Sequence, residues 1–273
     1  MVSLLKDLFV QACGGCGIFP SRKSPEAELG KCLQAMRPLM PPVPLIRLGP
    51  DGDGGYLVPD DLAGINECFS PGVSGIAGFE EHCASRGMDV FLADASVDGP
   101  PVQHARFHFT PRYIGAFSGE HFLSLDDWVS STAVPSGNDL LLQMDIEGYE
   151  YETLLALSMD LQRRFRIVVV EFHNLHYLLD SAFFRIASRA FYKLLVTHAC
   201  VHIHPNNVRP PVRLGRHAIP PMLEMTFLRR DRMGPIAFAT EFPHPLDRDT
   251  TSRPPVILPS CFYEFRKSAE KNG

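Results

Sequence analysis

Apolar runs about the length of a buried strand recur along the chain, separated by stretches whose apolar spacing is helical. Residues 65–70, 88–93, 106–109, 140–144, 166–172, 200–204 and 223–229 read as strands, and the least ambiguous is RIVVVEF at 166–172, β-branched and apolar until Glu171. Helical spacing covers 25–37, 79–85, the Tyr151, Leu154, Leu155, Leu157 set, and 175–195. Strands and helices alternate as far as Leu195; two strands then follow with no helix between them. This order predicts an α/β chain with a doubly wound, mostly parallel sheet closed by an antiparallel edge pair.

The flanks read differently. Residues 1–12 form a short amphipathic helix, and the glycine-rich stretch around Cys13 and Cys16 is expected to be a disordered leader. The proline-rich MPPVPLIRLGP at 40–50 reads as an extended connector, because proline cannot pair inside a sheet. Residues 205–221 suit a loop lying over a site, and from Arg232 onward proline and polar residues predict a tail wrapped on the surface. The expected organisation is an extension over 1–46, one domain over 47–230, and a tail over 231–273.

Two of these strands end on acids. The run at 140–144 gives way to Asp145, Glu147 and Gly148, and the run at 166–172 delivers Glu171 and, just beyond, His173. In open α/β sheets the carboxyl ends of strands are where ligands bind, whereas helix capping alone would account for only one of the two acids after Met144. The first strand is followed by PGVSGIAG, in which Gly72, Gly75 and Gly78 precede a helix. Glycine there lets a ligand approach backbone N–H groups at a helix start. The spacing is not G-x-G-x-x-G, which disfavours a nicotinamide cofactor. Asp94 ends the next strand about 20 residues past Gly72, the position from which an acid reaches ribose hydroxyls, so loop and acid together favour a nucleoside-bearing cofactor. Alternation puts His202 and His204 on one strand face; His204 gains weight from its place at a strand end, while His176 and His202 read as structural. Asp126 and Asp127 in SLDDWV read first as helix caps.

Composition narrows the classes. Of 273 residues, 45% are hydrophobic and 21% charged, as in ordinary globular proteins. No apolar run approaches the roughly 20 residues of a membrane span. A net charge of −5 and a pI near 6.1 argue against a general nucleic-acid binder. Seven scattered cysteines, an odd number, predict reduced thiols and a cytoplasmic location. Cys13 and Cys16 have neither the second pair of a zinc site nor the βαβ context of a redox motif.

With these features in view, LLLQMDIEGYEYETLL resembles the strand-four signature of FkbM-type methyltransferases, and SLDDWV resembles the acidic segment that precedes it there. DGGYLVPDD, the glycine loop with Asp94, VVEFH, HPNN and LEMTFLRR extend the resemblance over about 49–230. The loop departs from most S-adenosylmethionine sites in lacking an acid and a tight G-x-G. The resemblance implies a class I, Rossmann-like methyltransferase fold, S-adenosylmethionine as cofactor, and a hydroxyl acceptor on a glycan or small secondary metabolite. In that reading Gly72 and Ser74 meet the cofactor through backbone or hydroxyl, Asp94 binds its ribose, and Tyr56 and Asp126 lie near its adenine or methionine ends. Asp145, Glu171 and His173 line the acceptor side, with His173 as general base, and His204 and Asn206 close the site. A divalent cation is compatible with the same residues. A metal-dependent hydrolase built on Asp145, Glu171, His173 and His204, or a degenerate fold that only binds a ligand or partner, remain the alternatives.

Overall fold

The computed structural model describes residues 2–17, 20–132, 134, 135 and 137–264. In chain order the elements are α1 (Val2–Gly15), α2 (Glu26–Ala35), β1 (Leu45–Leu48), β2 (Tyr56–Pro59), β3 (Glu67–Pro71), α3 (Gly78–Ser85), β4 (Asp89–Ala93), β5 (Phe107–Thr110), β6 (Tyr113–Gly115) and β7 (Phe122–Ser124). There follow α4 (Leu125–Ser130), β8 (Leu140–Met144), α5 (Glu150–Ala156), α6 (Met159–Arg164), β9 (Phe165–Phe172), α7 (Ser181–Thr197), β10 (His198–Pro205), β11 (Val212–Leu214), β12 (His217–Ile219) and β13 (Leu223–Arg229).

Seven strands form one sheet in the order β10-β13-β9-β8-β3-β4-β5. β3, β4, β5, β8 and β9 run parallel, and β13 lies antiparallel between β9 and β10. The chain therefore winds outward from β3 through β4 to β5, then returns to β8 on the other side of β3, which leaves a crevice at the β3/β8 switch. Every residue of β8 and β9 is buried, as expected of central strands covered on both faces. Leu142, Met144, Val168, Val170 and Phe172 pack under α5 and α7 with Tyr151, Leu154, Phe184 and Phe191. Leu141, Ile167 and Val169 face the opposite way, toward α3 and the β1–β2 pair, with Val58 and Phe79.

Four expectations change. The 40–50 segment is not wholly a connector: residues 45–48 contain no proline, so β1 pairs antiparallel with β2, Leu45 opposite Pro59 and Leu48 opposite Tyr56. The disordered leader is replaced by helix through Gly15, closed where Gly17 turns to φ 75° and donates to Gly14. The helix read over 175–195 is interrupted, because Asp180 caps a new start: its Oδ1 accepts from Ala182 and Phe183 N–H at 2.9 Å, dividing a 3-10 turn at Leu175–Leu179 from α7. The loop at 205–221 contains the β11–β12 hairpin. Along the tail, Leu258 and Phe262 are buried in the core, while residues 265–273 lie outside the described residues. No described helix is long and apolar enough to cross a membrane, and all seven cysteines are free.

Candidate functional site

The loop after β3 is shaped by close contact with the end of β8. Gly72 has φ 92°, and a Cβ on it would stand 1.6 Å from the Asp145 carbonyl oxygen, so no other residue fits without moving a strand. Gly72 N–H donates to Ala93 O at 3.0 Å, and Val73 N–H donates to Asp94 Oδ2 at 3.0 Å. The other Asp94 oxygen accepts from Ser96 N–H at 2.7 Å and Ser96 Oγ at 2.6 Å. Asp94 thus ties the glycine loop to the end of β4. The exposed Ser74 Oγ accepts from Ile76 N–H, and space around Gly75 is open. Beneath the loop, Ser70 Oγ lies 2.5 Å from Glu80 Oε1 and 2.6 Å from Gln143 Oε1. Burial raises the Glu80 carboxyl pKa, and its hydrogen bond with Ser70 works against that rise.

Across the switch, β8 and β9 bring three side chains together. Glu147 sits in the left-handed region at φ 57°, and Gly148 follows at φ 111°. That turn points the Glu147 carboxylate back toward His173, leaving 3.4 Å between Glu147 Oε2 and His173 Nε2. Asp145 Oδ1 is 3.8 Å from the same nitrogen. The far side of the imidazole is held by the fully buried Glu150, whose Oε1 lies 3.0 Å from Nδ1 and also accepts from Gly148 N–H. The Tyr151 hydroxyl donates to His173 O at 2.6 Å. Burial alone would lower the His173 pKa, but the hydrogen bond and charge of Glu150, with Asp145 and Glu171, outweigh it and push it to about 9. Ligand atoms of Asp145, Glu147 and His173 all lie within 4.8 Å of one another.

A row of acids continues sideways from Asp145. Glu171 is opposite Glu224 in the β9–β13 register, and His204 is opposite Glu224 in β10. Burial raises the pKa of Asp145, Glu171 and Glu224, and Glu171 raises those of the other two by repulsion. Asn206 Nδ2 donates to Glu171 Oε1 at 2.8 Å, and its Oδ1 accepts from Val208 N–H. Tyr56 is buried beside this row, its ring edge-on to Phe79 at 5.7 Å; burial and then the charges of Asp145, Glu171 and Glu224 raise its pKa.

The tail closes the β10 side. Asp247 Oδ1 is 2.9 Å from His202 Nε2 and Oδ2 is 3.4 Å from His204 Nδ1. Burial works against this carboxylate, yet the two histidines hold it well below the usual range. Asn207 donates to Thr251 O and Arg253 O and accepts from Thr251 N–H. Beside it opens a cavity of about 550 Å³ lined by Pro210, Pro211, Arg213, Arg253, Val256 and Ile257, among others.

The structure therefore brings Asp145, Glu171, His173, Asn206 and Tyr56 to one end of the sheet, beside Gly72 and Asp94. His204 is near but turned to Asp247. Asp126 is elsewhere: its Oδ2 accepts from Ser158 N–H at 2.8 Å, in the turn that precedes α6 and the start of β9. Sequence reasoning missed Glu150, Glu224 and Asp247. A lone acid inside the apolar LEMTF was a signal for Glu224, and Asp247 had none in its irregular surroundings.

Residues 123–191 match the Methyltransferase FkbM domain family. The matched stretch runs from β7 into α7 and contains Asp145, Glu147, Glu150, Glu171 and His173. No curated protein matches the chain. The family match supports a methyltransferase.

Proposed function

We propose that the chain is an S-adenosylmethionine-dependent methyltransferase acting on a hydroxyl of a glycan or small secondary metabolite, with a class I, Rossmann-like fold. The observation that carries this reading is the Asp145–Glu147–His173 cluster inside the family-matched segment, at the switch point and against the glycine loop. The cofactor lies over Gly72 and Ser74 with its ribose at Asp94, whose carboxylate keeps lone pairs free beyond its loop contacts. Tyr56 borders the pocket. Asp126, committed to Ser158, has no part in this reading.

Methyl transfer from a sulfonium is an in-line displacement, so alignment supplies much of the rate. The carbon–sulfur bond breaks to leave a neutral thioether, the oxygen–carbon bond forms, and the hydroxyl proton must go to the protein. Asp145, Glu171 and His173 form one proton-sharing unit on the acceptor side. Glu150 holds the His173 ring by Nδ1 and leaves Nε2 facing Asp145, and the hydroxyl proton passes to the Asp145–His173 pair. Asn206 orients Glu171. Calorimetric titration with S-adenosylmethionine and its demethylated product tests the cofactor; folded protein that binds neither at millimolar concentration overturns the reading. A labelled-methyl screen over sugars and phenolic or polyketide alcohols identifies the acceptor.

A further inference from the structure

We propose that Asp145, Glu147 and His173 bind one divalent cation of the Mn²⁺ class. An ion with ligand bonds of about 2.0–2.2 Å sets neighbouring ligand atoms about 3–4 Å apart. His173 Nε2 stands 3.4 Å from Glu147 Oε2 and 3.8 Å from Asp145 Oδ1, too far for good hydrogen bonds and suited to a shared ion.

Two unsatisfied atoms point to a missing partner. His173 is 8% exposed, and its Nε2 makes no hydrogen bond among the described residues. Asp145 Oδ1, which faces it, is buried without a hydrogen-bond partner. A buried polar atom left unpaired, as Asp145 Oδ1 is, costs free energy, and a cation would satisfy it while engaging the open Nε2 of His173.

The surroundings are those of a ligating imidazole. Glu150 takes the other ring nitrogen at 3.0 Å, the carboxylate support that fixes the orientation of metal-bound histidines. Two carboxylates and one imidazole are a harder set than thiolates and accept Mn²⁺, which takes the imidazole nitrogen more readily than Mg²⁺ does and serves as the probe ion. An ion here would lower the pKa of an acceptor hydroxyl bound to it; that role rests on the methyl-transfer reading, whereas binding of the ion does not.

The test uses the full chain, stripped with chelator and titrated with Mn²⁺ by calorimetry and by the electron paramagnetic resonance signal of free Mn²⁺. Saturable binding of one ion per chain is expected, weakened at least about tenfold in Glu147→Gln and in His173→Asn, and about 10–100-fold in Glu150→Gln. Glu147 has a side chain 85% exposed, so its variant folds even where a buried change does not. No binding at millimolar Mn²⁺, or binding unchanged in Glu147→Gln, overturns the proposal. S-adenosylmethionine titrated into the same metal-free protein reports separately on the methyltransferase reading.

Discussion

Gly72 shows how a single residue couples the fold to the site. With the Asp145 carbonyl 1.6 Å from where a Cβ would be, Gly72→Ala must push β3 and β8 apart. Overpacking of this kind costs about 1–3 kcal/mol. Chemical denaturation should show that loss together with weaker cofactor binding, whereas Gly75→Ala, facing open space, should leave stability unchanged. Asp94→Ala should weaken S-adenosylmethionine binding by roughly 1–3 kcal/mol through lost charge-assisted hydrogen bonds. Unchanged calorimetric affinity in a folded variant would remove Asp94 from the site. Residues at strand ends, such as Asp145, Glu171 and His173, were legible because an apolar run stops on them. Glu150 was not, because within a helix start an acid that supports a histidine looks like one that favours the helix dipole.

Among the elements, β8 and β13 were legible to the residue: β8 is a short, fully buried run bounded by polar residues, and β13 keeps its apolar positions around Glu224 and Thr226. The three-residue strands β6, β7, β11 and β12 are too short to carry a pattern, and β1 was hidden by the prolines before it. The α7–β10 junction carries a pH prediction. His198 begins β10, its Nε2 donating to Phe165 O at 2.7 Å, and burial pushes its pKa down to about 4. The fold therefore holds the neutral ring, while the unfolded chain takes up a proton below about 6.5. The resulting contribution is complete above that pH and is lost progressively as pH falls toward 4. It is on the order of 3 kcal/mol. His198→Gln should lose stability at pH 7 but narrow the difference from the parent protein by pH 4.5, as read from urea midpoints at the two pH values.

At the scale of the whole molecule, the tail is structural as well as superficial. Its Asp247 is 5% exposed at the side chain and held between His202 and His204, and Leu258 and Phe262 are buried in the main core. Breaking such a buried pair costs about 3–5 kcal/mol. Asp247→Ala should lower the unfolding midpoint and open the segment after Arg232 to limited proteolysis; an unchanged cleavage pattern would show that the histidines do not hold it. A surface tail and the shared face of His202 and His204 were legible, but their pairing with Asp247 was not, because the irregular segment that carries Asp247 has no periodicity.

The antiparallel placement of β13 has a consequence for how the molecule comes into being. β10 joins the main sheet only through β13, and β13 is the later of the two in the chain. During synthesis, a chain complete through Pro205 has β10 with no sheet partner and β9 with an open outer edge. The sheet closes only when residues 223–229 pair with β10 on one side and, across a longer stretch of chain, with β9 on the other. Glu224 and Asp247 arrive with or after that step, so the row of acids and the contacts over His202 and His204 assemble last, and an unfinished chain carries an exposed strand edge in place of a finished site.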